Sequence, residues 1–177
     1  MIALRRLYID FDGVVLDTIP PLYEKLTAGG VGLDESEEKK MAWFSKFDYS
    51  EVIKDKYVLN DSINCINKLL DSKRFEISFL SHVHSLDEAI VKIRYLRRRF
   101  KDDITIIIVP GKVSKTKMVH SEGAILVDDF SRNLKEWEDA GGIAIRFSKE
   151  LESHGYKVID RLDKLLDMFD ENGDEIC

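Results

Sequence analysis

The 177-residue chain has only two cysteines, Cys65 and Cys177, with no CxxC spacing and no metal-ligand cluster around either. That scarcity argues against both a structural zinc and a disulfide framework. No apolar run approaches the roughly 20 residues needed to span a bilayer. The N-terminal MIALRRLYIDFD also lacks the long apolar region and small-residue cleavage site of a secretory signal. A reduced, cytoplasmic compartment without membrane contact is the expectation. A basic excess is missing as well: 33 acids face 27 bases, for a net charge of −6. That balance argues against a nucleic-acid backbone as partner. There is no internal repeat, and the only biased segment is a short acidic tail from Asp170. Nothing in the sequence fixes an oligomeric state.

What is present describes a folded α/β protein. Apolar residues make up 44% of the chain and charged residues 34%, a soluble globular mixture, and the length suits one core with a small insertion. Runs rich in Ile, Val, Phe and Leu recur with helical patterns between them, which predicts a mainly parallel sheet covered by helices in a three-layer sandwich. The expected strands are Leu4–Phe11, Phe75–Ser81, Ile104–Pro110, Ala124–Asp129 and Gly142–Phe147, with a weaker one near Lys157. SINCINKLLDSK reads as a helix capped by Asn60 and Asp61, and LDEAIVKIRYLRRRF as one with Leu86, Ala89, Ile90, Ile93, Leu96 and Phe100 on its buried face.

Between Ile19 and Leu59 the rhythm breaks. The segment holds PP, GG, the charged run DESEEKK and the aromatic group Trp43, Phe44, Phe47 and Tyr49, with no strongly apolar strand. It is expected to be a small helical cap over residues 19–59, inserted into a core made of residues 1–18 and 60–177. Its aromatics fit two roles equally, the insertion's own core or a stacking surface for a base or sugar.

The chemistry-bearing residues sit at strand ends. IDFDG places Asp10 and Asp12 at the end of the first strand, followed by Gly13, which permits a sharp turn and a close backbone approach. ILVDD places Asp128 and Asp129 at the end of the fourth. Ligands of open α/β sheets bind outside these carboxyl ends. Carboxylates converging there cannot all ionise without a cation, and an oxygen-only set suits Mg²⁺. The second strand offers the Ser81 hydroxyl. After the third, KVSKTKM places Lys115 behind Ser114, read as an N-cap; a lysine at a helix start calls for an anion nearby.

These motifs, in the order IDFDGVV, FLS, SK and ILVDD, resemble those of the haloacid dehalogenase-like (HAD) hydrolase superfamily, and the resemblance spans the chain. It implies a Mg²⁺-dependent phosphomonoesterase in which Asp10 is the nucleophile that forms an aspartyl-phosphate and Asp12 is the general acid and base. It further implies Mg²⁺ held by Asp10, Asp12 through its carbonyl, Asp128 and Asp129, with Ser81 and Lys115 on the transferring phosphoryl group. Lys117 is the alternative motif lysine. The insertion after the first motif is similar to the caps of nucleotidases and phosphosugar phosphatases, and ILVDDFSRNLKEWEDAGG is similar to 5′(3′)-deoxyribonucleotidase-like members. The implied substrate is a small phosphate ester, a (deoxy)nucleoside monophosphate first and a phosphosugar or nucleic-acid end second. A catalytically silent binding module on the same fold is the contrasting reading, against which four clustered carboxylates argue. His82 and His84 are expected behind the site or at the surface, and Arg97, Arg98 and Arg99 on a solvated helix face.

Overall fold

The structure, a computed structural model, describes residues 4–100 and 104–176; Cys177 lies outside them. Six strands, β1 (Arg5–Ile9), β2 (Phe75–Val83), β3 (Thr105–Pro110), β4 (Ile125–Asp128), β5 (Ile143–Phe147) and β6 (Lys157–Ile159), form one sheet in the order β3-β2-β1-β4-β5-β6. Every pairing in it is parallel. The helices are α1 (Ile19–Ala28), α2 (Glu37–Phe44), α3 (Ser62–Ser72), α4 (Leu86–Arg97), α5 (Ser131–Asp139) and the short α6 (Leu165–Met168).

The period of two in each strand divides the apolar residues between two layers. Leu7 and Ile9 of β1, Phe79 of β2 and Ile125 and Val127 of β4 are buried with Cys65, Ile66 and Leu69 of α3 and Tyr95 and Leu96 of α4. Tyr8, Leu80 and Leu126 face the other way, onto Leu134 and Trp137 of α5. A one-residue slip of β4 would exchange these faces, so burial on both sides pins the register that sets the strand ends. The sandwich is three-layered, as the alternation of strands and helices predicts.

Two strand ends differ from expectation by more than one residue, and both bear on function. β1 stops at Ile9 because the chain folds back: the Phe11 carbonyl accepts from Val15 N at 2.9 Å and Leu16 N at 3.1 Å, and Gly13, at φ +72°, donates to the Leu16 carbonyl at 2.8 Å. β2 runs past Ser81 to Val83 because β3 stays paired with it as far as Pro110. Ser81 therefore lies inside a strand rather than at its end.

Residues 19–59 form α1, α2 and two 3₁₀ turns, Tyr49–Glu51 and Asp55–Tyr57. Trp43 stacks on Phe47 at 4.6 Å, and Phe44 and Tyr49 are buried. Leu22, Leu26, Phe44, Tyr49 and Val52 share one apolar cluster with Leu7 and Ile9 of the sheet. The aromatics thus pack the insertion and bind it to the core. Asn60 and Asp61 do not cap α3 with their side chains. Both have positive φ, and Asn60 donates instead to the Asp160 carbonyl while Asp61 accepts from Asn64.

Candidate active site

β1 lies between β2 and β4, so the chain leaves it toward opposite sides of the sheet and a crevice opens at its carboxyl end. The register pairs Ile9 with Val127, and Asp10 N donates to the Val127 carbonyl at 3.0 Å, one step further along the ladder. Asp10 is thereby delivered beside Asp128.

Ligand oxygens of Asp10, Asp128 and Asp129 all lie within 4.8 Å of one another. Lys115, only 1% exposed, stands between two of these acids, its Nζ 2.9 Å from Asp10 Oδ1 and 2.6 Å from Asp128 Oδ2. Lys117 is exposed, so Lys115 is the lysine that faces Asp10. Ser114 precedes it but caps nothing with its side chain; its hydroxyl donates to Glu136 at 2.6 Å. Asp128 is fully buried and takes two further donors, Asn133 Nδ2 at 3.0 Å and Phe130 N at 2.9 Å. Asn133 belongs to the ILVDDFSRNLKEWEDAGG stretch likened above to deoxyribonucleotidase-like members, but no role for it follows from the sequence.

One buried cation does not neutralise this cluster. Burial pushes the Asp10 carboxyl up to about 7, with Asp128 and Asp12 adding to the effect and Lys115 opposing it. Asp129 is pushed up to about 8 by burial and then by Asp10, Asp128 and Asp12. Lys115 moves upward because Asp10 and Asp128 outweigh its own desolvation. Gly13 completes the cradle: a Cβ there would lie 2.1 Å from Asp129 Oδ2. Three converging carboxylates, two of them costly to ionise as they stand, form a donor set of the hard-oxygen kind that suits Mg²⁺.

Asp12 turns to different partners. Its Oδ1 accepts from the Thr18 hydroxyl at 2.6 Å and its Oδ2 from Lys92 Nζ at 2.5 Å. The same ammonium donates to the His82 carbonyl at 2.7 Å and to Ser81 Oγ at 3.1 Å, and pairs with Glu88 Oε1 at 2.7 Å. Glu88 accepts from His84 N at 2.6 Å, and His84 Nδ1 lies 3.3 Å from the Tyr49 hydroxyl of the insertion. Burial alone would raise the Glu88 carboxyl, yet His84 and Lys92 hold it at about 2. Glu88 and Lys92 were missed from sequence because an i,i+4 Glu–Lys pair reads as a solvated helix face. The buried face of α4 is Glu88, Ala89, Lys92, Tyr95 and Leu96, while Leu86, expected inside, is 76% exposed.

No protein-family model and no curated protein matches the chain. Solved structures do. β-Phosphoglucomutase from Clostridium difficile is 15% identical over 92% of this chain and 93% of its own, with a TM-score of 0.56. A HAD-hydrolase from Bacillus subtilis with bound magnesium is 12% identical over 92% and 96%, with a TM-score of 0.55. CbbY from Rhodobacter sphaeroides, in complex with xylulose 1,5-bisphosphate, is 14% identical over 93% and 97%, with a TM-score of 0.54. The fold is that of the HAD hydrolases.

Two clefts open beside this acidic cluster. One of about 460 Å³ is lined by His82, Lys112, Ser114, Phe130, Arg132 and Asn133. Another, of about 300 Å³, includes Gly13, Asp17, Asp129, Arg146 and Lys149. Among the described residues no helix is long and apolar enough to cross a membrane.

Proposed function

We propose that the protein is a Mg²⁺-dependent phosphomonoesterase that hydrolyses a small phosphorylated metabolite through an aspartyl-phosphate on Asp10. The observation that carries this reading is the buried Lys115 ammonium bridging Asp10 and Asp128 at the carboxyl ends of β1 and β4. A phosphate dianion and a carboxylate nucleophile repel each other, and this arrangement of a lysine beside an acidic cation site lowers that barrier.

In this reading the Asp10 carboxylate attacks phosphorus, the bond to the leaving oxygen breaks, and Asp12 gives that oxygen its proton. Asp12 then takes a proton from water as the water oxygen attacks phosphorus, and the bond to Asp10 breaks to release phosphate. Ser81 and Lys115 hold the phosphoryl oxygens. Asp10, Asp128 and Asp129, with the Asp12 carbonyl, would hold Mg²⁺, which when bound offsets charge on the phosphoryl group and on the acids themselves. Asp12 is not part of the clustered side chains, in keeping with a separate role in proton transfer.

Residues 19–59 serve as the cap and residues 1–18 and 60–177 as the catalytic core. The cleft of about 460 Å³, with the 58% exposed ring of Phe130 beside Lys112 and Arg132, supports a nucleoside or deoxynucleoside monophosphate as substrate. A phosphosugar is the second reading, favoured by the sugar phosphate in the CbbY complex. A reduced, cytoplasmic setting agrees with the free, buried Cys65. Phosphate release from a panel of nucleoside monophosphates and phosphosugars, in Mg²⁺ and in EDTA, tests the reading. Turnover of at least one ester only with Mg²⁺ is expected; a panel that yields no phosphate refutes it.

A further inference from the structure

Lys92 has no part in the chemistry set out above, yet it is fully buried and its ammonium meets four oxygens: Asp12 Oδ2, Glu88 Oε1, the His82 carbonyl and Ser81 Oγ. An ammonium has three protons, so this group is saturated and its position fixed. A buried cation is retained only where paired charge holds it, and Glu88, itself 2% exposed and bound by His84 N, supplies a counter-charge that is independent of Asp12. The Lys92–Glu88 pair is therefore an anchored post in α4, and Asp12 is the partner that the post holds from the loop after β1. It comes from the layer opposite the one that carries Lys115: Lys92 sits 5.5 Å from the Phe11 ring, in the apolar cluster of α3 and α4, whereas Lys115 lies beside α5.

We propose that Lys92 is a positioning residue for proton transfer, fixing the Asp12 carboxylate through Oδ2 and tying it to Ser81. This rests on the function proposed above, in which Asp12 exchanges protons with the leaving group and with water. Lys92 engages Oδ2 and leaves Oδ1, which shares the neutral Thr18 hydroxyl, as the oxygen that exchanges the proton. When Asp12 gives up its proton to the departing alkoxide, the carboxylate left behind is already paired, so no group must move to receive its charge. Glu88 is what keeps Lys92 in place while Asp12 changes state.

This role predicts a dependence on the leaving group that a merely structural one does not. An alkyl phosphate expels a strongly basic alkoxide and needs the proton, whereas p-nitrophenyl phosphate expels a stable phenolate and does not. General acid catalysis contributes about 10²–10⁴-fold where it is needed. Lys92→Met is expected to lower kcat/KM for the best alkyl monophosphate of the panel at least about tenfold more than for p-nitrophenyl phosphate. The double variant Glu88→Gln/Lys92→Met, which leaves no buried charge unpaired, keeps the test valid if the single variant folds poorly. In an Asp12→Asn background, adding Lys92→Met should leave the ratio unchanged. Equal losses on both esters, or the full selective loss persisting in Asp12→Asn, overturn the positioning role while the phosphatase reading stands. A wild-type protein that hydrolyses neither ester overturns that reading, and this one with it.

Discussion

Replacing Lys115 with methionine keeps most of the apolar stem and removes a cation that stands between two acids. Asp128 is fully buried and would keep only Asn133 Nδ2 and Phe130 N as donors, while Asp10 Oδ1 would lose its ion-pair partner. Removing one member of a buried pair costs about 3–5 kcal/mol. At about 2–4 °C per kcal/mol for a domain of this size, the melting temperature in EDTA should fall by about 6–20 °C. A cation binding at Asp10, Asp128 and Asp129 should restore more stability to the variant than to the wild type, because the variant cluster carries one more uncompensated charge. Saturation to about 100 times Kd contributes about 2.7 kcal/mol. Thermal unfolding followed by circular dichroism, in EDTA and in a Mg²⁺ series, reads both effects. Lys117→Met, at an exposed position, should change stability by less than about 0.5 kcal/mol. A Lys115→Met protein that melts with the wild type in EDTA would show that the lysine does not hold the acids together.

Two further outcomes follow from the same cluster. Asp10 and Asp129 have folded-state pKa values raised from 3.8 to about 7 and about 8, so between roughly pH 4 and 8 the native state binds more protons than the unfolded chain. Their contribution to stability therefore falls as pH rises, and the melting temperature in EDTA should drop from pH 5 to pH 8, with Mg²⁺ flattening the profile; a metal-free profile that rises over this interval contradicts the assignment. Gly13→Ala forces a Cβ to 2.1 Å from Asp129 Oδ2 at φ +72° and should weaken Mg²⁺ binding, read as Mg²⁺-induced stabilisation, by about 10–100-fold. Unchanged Mg²⁺ affinity in that variant would remove Asp129 from the metal site.

The sheet was legible because buried parallel strands leave near-continuous apolar runs, and YIDFDG and ILVDD break such runs with acids that need a reason to be there. Their convergence could be anticipated; the register that delivers Asp10 beside Asp128 could not, since it depends on which strands pair. The far side of the site was illegible for a different reason. Apolar periodicity in LDEAIVKIRYLRRRF points to Leu86 and Ile90, but α4 turns Glu88 and Lys92 inward, where Asp12 and His84 satisfy them. A polar pair reads as buried only once its partners are known, and one of them, Asp12 in the loop after β1, lies 80 residues away in sequence. The aromatics of the insertion carried the converse ambiguity, which the packing of Phe44 and Tyr49 against the shared core resolves.

In the proposed reaction Asp10 carries the phosphoryl group. Acid-quenched single-turnover reactions with the best ester of the panel, in Mg²⁺, followed by peptide mapping in a mass spectrometer, test it directly. A transient phosphoryl adduct on Asp10, formed before free phosphate appears and absent from Asp10→Asn, is the expected result. Phosphate release with no adduct at any time, or at an undiminished rate in Asp10→Asn, would contradict it.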